Sequence, residues 1–310
     1  GGAGDPLYAA GDGPGINLNG YLGSVAVAGV TNGADITALG SPTQKTNLSL
    51  GPVGDGSAIT LGSSLNLLSA AGFGDGTITA PSARTVTIRG DLAGDLVLTG
   101  PPAVAGNPTL KSLAVTGSIL PGGSVSASSA GTIVVRGDLA GDLTLAGPGP
   151  AANKPALQSL TVNGSIPSGG AAISAPSIGT VSVKGDLGRD LTVAGPAPAT
   201  GVPALKKLAV RGSIQDGADV SAPSIGGISV KHNLAGDVTI SGTGVAAGAP
   251  ALGTLTVTGV VTGSDISVTG NVGSVRTAGF QDSRLFAGYT GPDDGSGSFN
   301  FPATVSSFRV

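Results

Sequence analysis

Apolar and small polar residues alternate along most of the chain, as in Val86/Ile88, Leu96/Leu98, Leu113/Val115 and around Val125. A period of two marks a β-strand with one buried face, because successive side chains leave a strand on opposite sides. Helical spacing of the i, i+3, i+4 kind is not sustained in any stretch. Gly or Pro interrupts nearly every window of ten residues, and each interruption costs a helix about 1 to 3 kcal/mol. The pattern therefore predicts an all-β protein with essentially no α-helix.

The alternation is itself repeated. The stretch from Thr85 to Leu98, containing Arg89-Gly90-Asp91-Leu92, returns with Arg136-Gly137-Asp138-Leu139, Lys184-Gly185-Asp186-Leu187 and Lys231-His232-Asn233-Leu234. The intervals from Val86 to Ile133, Val181 and Ile228 are 47, 48 and 47 residues, and a fixed period of this length marks a repeat architecture. A shorter related motif lies between the long copies: Leu113, Val115, Gly117 and Ile119 are echoed by Leu160 to Ile166, Leu208 to Ile214 and Leu255 to Val261. Each period thus holds a longer and a shorter coil. The template extends toward the N-terminus through Val25/Val27 with Ile36, Leu48/Leu50 with Ile59 and Leu65/Leu67 with Ile78, and toward the C-terminus through Val275 to Phe308/Val310.

Short strands separated by glycine turns and stacked at about 4.8 Å per coil describe a parallel β-solenoid, or β-helix, of about twelve coils of about 20–27 residues. Such a stack is about 55 to 60 Å long, and right-handed winding is the default for parallel connections. An antiparallel array of small sandwiches would call for more aromatic residues and for two-residue hairpin turns. The chain is read as a lead-in or cap at 1–20, a solenoid at 21–278 whose repeats are best defined at 81–270, and an aromatic-rich cap or junction at 279–310 that ends on a strand.

The longer coil carries an insertion at the same place each time, at 101–110, 148–157, 196–205 and 243–252, rich in Pro, Ala and Gly. A row of like loops on one edge is read as a packed edge or a surface for self-association. Of nine aromatic residues, six (Phe280, Phe286, Tyr289, Phe299, Phe301 and Phe308) gather near the C-terminus. The open end of a stacked sheet needs covering, since unpaired backbone groups invite pairing with another chain. These aromatics are therefore expected to cap the solenoid or, at Phe286, Tyr289, Phe299 and Phe301, to contact a glycan or partner; Tyr8 and Tyr21 would serve at the other end.

Composition then narrows the classes of function. Gly and Pro number 56 and 21 of 310 residues, which approaches a disordered composition, but 40% of residues are hydrophobic and recur in register, so the chain is expected to fold. Only 11% are charged and the formal net charge is −3, so the basic field on which nucleic-acid binding relies is missing. No apolar run reaches about 18 residues, which predicts no membrane span. Cys is absent, ruling out disulfides and thiolate metal sites. Low charge, abundant Gly, Thr and Ser, and the lack of Cys and Met point to a secreted, extracellular or cell-surface bacterial protein.

Candidate chemistry is sparse. Arg89-Gly90-Asp91 and Arg136-Gly137-Asp138 match a receptor-binding tripeptide, but the later copies lose it and the Gly lies where each coil turns. Asp91/Asp95, Asp138/Asp142 and Asp186/Asp190 recur at fixed positions and are the candidates for calcium. One member every second coil puts neighbours about 9 to 10 Å apart, and calcium takes six to eight oxygens at about 2.3 to 2.6 Å. The competing reading gives these carboxylates hydrogen bonds from amides of their own turns, with Arg89, Arg136, Lys184 and Lys231 offsetting their charge. For catalysis the relevant enzyme class is the parallel β-helix polysaccharide lyases and hydrolases, which cluster carboxylates or a basic residue in a charged cleft, whereas here the repeat spreads the charges evenly and the breaks in it are the lone His232 and Asp282, Arg284, Asp293 and Asp294. No enzymatic activity and no cofactor other than calcium is expected, the alternative being a carbohydrate-binding or carbohydrate-active β-helix. Flat Thr-x-Thr ladders of the ice-binding kind are not present.

The Val-x-Val-Lys/Arg-Gly-Asp-Leu coils, with the closing Ser283-Arg284-Leu285-Phe286-Ala287-Gly288-Tyr289 and Ser307-Phe308-Arg309-Val310, resemble the tandem repeats of very large secreted bacterial surface proteins of β-helical type. The resemblance covers about residues 20 to 310. It implies a cell-surface or matrix role in adhesion or extracellular fibre formation, without a catalytic site, and carries no functional residue onto this chain. The expected partners are further copies, meeting through the solenoid ends or the Pro/Ala loop edge, and a surface glycan.

Overall fold

The computed structural model describes residues 15–28, 30, 33–102, 104–169, 173–290, 298–299 and 302–310, divided between two compact units, Gly1–Ala151 and Ala152–Val310. Among the described residues there is no helix, and each unit is a parallel β-solenoid. The expected fold class is therefore the observed one.

Each coil has three sides. In the first unit, a long-strand sheet is formed by Ser24–Val27, Lys45–Val53, Ser64–Phe73, Ala83–Ile88, Leu110–Val115 and Ala130–Val135. A short-strand sheet runs from Ile16–Leu18 through Ile36–Ala38, Ala58–Leu61, Thr77–Ala80, Asp95–Leu98 and Ser124–Ala127 to Asp142–Leu145. The third side is a column of single parallel bridges, Phe73 to Leu92, Leu92 to Ile119 and Ile119 to Leu139. Ala83 pairs with Leu110 and Leu110 with Ala130, steps of 27 and 20 residues. The repeat period is thus the circumference of two successive coils.

The second unit has the same three sides. Its long strands are Leu157–Val162, Ile178–Val183, Leu205–Val210, Ile225–Val230, Pro250–Val257, Asn271–Arg276 and Val305–Arg309. The register Leu157, Ile178, Leu205, Ile225, Leu252 advances by 21, 27, 20 and 27 residues. The short strands run from Ile173–Ala175 to Arg284–Ala287. Ile166, Leu187, Ile214, Leu234 and Val261 form the bridge column.

Alternation becomes core because a register in parallel stacking keeps every inward side chain above its counterpart. Leu68, Val86, Leu113 and Ile133 fill one buried column of the first unit, and Ala70, Ile88, Val115 and Val135 the next. A fully buried Val, Leu or Ile contributes about 1.5 to 3 kcal/mol. At the corner where each coil begins and ends, sizes alternate. The starting residues Leu65, Ala83, Leu110 and Ala130 are matched by the closing residues Ala80, Leu98, Ala127 and Leu145, so each coil supplies one large and one small buried side chain there.

The insertions follow the short strands. Their sharpest bends fall at equivalent places, Gly106, Asn153, Gly201 and Gly248, all at φ between 65° and 80°. That left-handed region suits Gly, and Asn is the side-chain-bearing residue that tolerates it best. Near the C-terminus the period breaks: Val272 pairs with Val305, a step of 33 residues, and the added chain contains an antiparallel pairing of Tyr289–Thr290 with Ser298–Phe299.

Candidate functional site

The recurrent carboxylates are brought into columns, but their partners are not those of a local turn. Asp91 Oδ1 accepts from the amide of Ser118 at 2.7 Å, and Ser118 Oγ accepts from the amide of Asp138 at 3.0 Å. In the second unit Ser165 Oγ accepts from the Asp186 amide at 3.1 Å, Asp186 Oδ1 from the Ser213 amide at 2.7 Å, Ser213 Oγ from the Asn233 amide at 3.3 Å, and Asn233 Oδ1 from the Val260 amide at 3.0 Å. This corrects the expectation of Asx-turns. Stacking places an amide of the next coil one strand spacing away, within hydrogen-bond reach of the carboxylate. The Gly-Asp-Leu of the long coil and the Gly-Ser-Ile of the short coil are one position in one ladder, and Asp, Ser and Asn are interchangeable there because each offers an acceptor oxygen. Arg89, Arg136, Lys184 and Lys231 form no ion pair with these groups among the described residues.

A second ladder stands where the short strands begin. In the first unit Asp95 Oδ1 accepts from Ser124 Oγ at 2.6 Å, and Asp142 follows Ser124 in register. In the second unit Asp190 Oδ1 takes the Asp219 amide at 2.9 Å, Asp219 Oδ1 the Asp237 amide at 3.0 Å, and Asp237 Oδ1 the Asp265 amide at 2.7 Å. Asp265 is then paired with the guanidinium of Arg284 on the following coil, through Nε at 2.9 Å and through Nη2. Here carboxylates occupy consecutive coils rather than alternate ones. The repeat of Asp-x-x-x-Asp pairs does not single out Asp219 and Asp265, although each precedes the first apolar residue of its short strand, as Asp95 precedes Leu96 and Asp142 precedes Leu143. Among the described residues no group of three or more His, Cys, Asp or Glu side chains is arranged to hold a metal ion.

A third ladder secures the long loops. Ser129, Ser177 and Ser224 are buried, and their Oγ atoms accept from the amides of Thr109, Ala156 and Ala204 at 3.2, 3.0 and 3.0 Å. Each loop is held at the point where it re-enters the long-strand sheet. No buried side-chain nitrogen or oxygen among the described residues lacks a hydrogen-bond partner.

The aromatic candidates converge only in part. Phe286 stacks on Tyr289 with ring centroids 4.6 Å apart, and Phe299 lies 5.3 Å from Tyr289 and 6.3 Å from Phe286. Tyr289 is buried, Phe286 is half-buried, and Phe299 is 67% exposed. The Arg284 guanidinium lies 5.4 Å from the Phe286 centroid, which joins this cluster to the second ladder. Phe280 packs separately against Phe308 at 5.4 Å. Phe301, Tyr8, Asp293 and Asp294 lie outside the described residues. His232 is exposed on the turn before Leu234, and Asp282 adopts a φ of 49°; neither sits with a second reactive group among the described residues.

The fold and its columns define a parallel β-solenoid whose coils are tied by side-chain-to-amide ladders as well as by strand pairing. No family model, curated protein or solved structure matches this chain.

Proposed function

We propose that the chain is a structural or adhesive protein of the bacterial surface or extracellular matrix, in which coils stack into an extended scaffold and copies join through solenoid ends. What supports this reading is the allocation of its polar groups: the recurring Asp, Asn and Ser side chains of the first ladder, and Asp190, Asp219 and Asp237 of the second, accept from an amide of the following coil, whereas the serines that hold the long loops accept from the preceding one. Such a coil hands the same set of acceptors to whatever coil comes next, in the same chain or in another copy. In the second unit Val305–Arg309 is the outermost long strand, and Val305, Phe308 and Val310 are 39%, 48% and 70% exposed. An outermost strand that carries exposed apolar side chains is a surface on which a further strand can be added. Electron microscopy across concentration and salt tests the joining: filaments are expected, and monodisperse particles under every condition would remove it.

A second reading, contact with a saccharide ring, is favoured by one observation, the exposed Phe299 ring over the buried Tyr289. A glycan array run with the parent chain and Phe299→Ala decides it; signals that do not change between the two dispose of this contact.

A further inference from the structure

The first long loop covers a groove of about 230 Å³ in the first unit, lined among others by Lys45, Asn66, Arg84, Asn107, Thr109 and Lys111. Its origin lies in a break in the repeat. Arg84 follows the first residue of its long strand, and the same place is held by Gly131, Gly179 and Gly226 in the later copies. Those glycines are obligatory. A Cβ at Gly131, Gly179 or Gly226 would overlap the carbonyl oxygen of Lys111, Gln158 or Lys206 and would touch Pro108, Pro155 or Pro203 of the loop that enters the preceding coil. The coil preceding Arg84 is entered by Gly62-Ser63-Ser64 alone, without a loop. No loop proline enters that coil, and at the place of the later glycines a long cationic side chain lines the groove.

The charge in this space is unbalanced. Arg84 and Lys111 lie on paired strands, and Lys45 lies two coils before Arg84. All three are exposed, and none forms an ion pair among the described residues. No carboxylate lines the groove. The described carboxylates of this unit, from Asp35 to Asp142, stand instead along the third side and at the start of the short strands. Side-chain amides of Asn66 and Asn107 add neutral donors beside the cations.

We infer that this groove is a binding site for an oxyanion-bearing saccharide chain, with Arg84 and Lys111 pairing to a carboxylate or sulfate and Lys45 reaching a second one further along the chain. Arginine presents a planar fork suited to such groups, and lysine a mobile point charge. An extended ligand fits because the cations are distributed across successive coils. Saccharide is favoured over single-stranded nucleic acid because no aromatic ring lines the groove on which a base could stack. The site is separate from the aromatic cluster, and single particles carry it whether or not copies join end to end.

The repeat supplies its own test variants. Arg84→Gly installs the residue of the later copies, and Lys111→Gln installs that of Gln158. The full chain is titrated with polygalacturonate, dextran sulfate, neutral dextran and a single-stranded oligonucleotide of matched length, with thermal melts of each variant as the folding check. Polygalacturonate or dextran sulfate should bind while neutral dextran does not, and whichever binds more tightly identifies the oxyanion. The double variant should weaken binding at least tenfold, and raising NaCl from about 50 to about 300 mM should weaken it by a similar factor. Lys206→Gln with Lys207→Gln, in the second unit, should leave it unchanged. Absence of binding to both acidic glycans, equal loss from the Lys206/Lys207 pair, or equal affinity for the oligonucleotide would each overturn the assignment. Should Arg84→Gly fail to fold, Arg84→Gln carries the same comparison.

Discussion

The carboxylate of Asp186 accepts a hydrogen bond from the backbone amide of Ser213, 27 residues later in the chain and one coil further along the stack, at 2.7 Å. The same carboxylate takes Gln215 Nε2 through Oδ2 at 3.2 Å. One half-buried side chain therefore joins two coils that the backbone connects only by a long way round. Removing the acceptor, as in Asp186→Ala, leaves the Ser213 amide without its partner and should lower stability by about 1 kcal/mol. Asp186→Asn should retain most of it, because Asn233 performs the same task one repeat later. Urea midpoints of the two variants check this; equal losses would mean that charge, not the acceptor, matters.

The alternation of large and small residues at the coil corner makes a paired prediction. Ala130→Leu puts two large side chains in one layer and should cost about 1 to 3 kcal/mol. Adding Leu145→Ala, which restores one large and one small residue in that coil, should recover a good part of the loss. A double-mutant cycle in urea measures the coupling; strict additivity would show that the two positions do not share space.

At Gly94, Gly141 and Gly236 an added Cβ would overlap the carbonyl oxygen of Gly76, Gly123 and Ala218 respectively. Gly141→Ala should therefore destabilise by about 1 to 3 kcal/mol, as overpacking against an immobile backbone does. By contrast Gly122→Ala meets no neighbouring atom, and its penalty is confined to the φ of 92°. Thermal melts of the two variants should rank Gly141→Ala as the more damaging.

The third repeat breaks this rule, carrying Arg189 where the others carry Gly. Arg189 is 3% exposed and its Nε donates to the Pro167 carbonyl at 3.3 Å. The segment from Ile166 to Ile173 is one residue longer than those from Ile119 to Val125 and from Ile214 to Val220, which also accounts for the interval of 48. The two changes are expected to depend on each other. Deleting Gly170 alone, or making Arg189→Gly alone, should lower the melting temperature by several degrees, and the combination should restore it. Failure of the combination to recover would break the link.

In the aromatic cluster, Tyr289→Ala removes a buried ring and should cost about 3 to 5 kcal/mol. Phe299→Ala, at a ring two-thirds exposed, should cost under about 1 kcal/mol. Comparable losses would show that Phe299 is as much a part of the packing as Tyr289.

Much of the fold is legible in the residues because a solenoid repeats its neighbours. The alternation at Val86/Ile88 and Leu113/Val115 and the two-coil period follow from a side-chain period of two and a register that every coil must obey; the third side, where Ile119 forms single bridges with Leu92 and Leu139, emerges only when the coils stack. The candidate sites are less legible. The sequence shows that Asp91 and Asp186 recur, but hydrogen bonding within a turn and between coils impose the same spacing, so their role was misassigned. Asp219 and Asp265 escaped notice because they lie in short coils, where the equivalent residue in the first unit is Ser124.

What the sequence by itself determined is the period, the buried columns and the all-β class, since each rests on local chemistry repeated at a constant interval. Only the tertiary structure decided which amide each Arg/Lys-Gly-Asp carboxylate meets, that Arg284 closes onto Asp265, and that Arg84 and Lys111 face one groove with Lys45. Those relations join residues 19 to 66 positions apart, and coil circumference and loop placement, not local spacing, set what stands beside them.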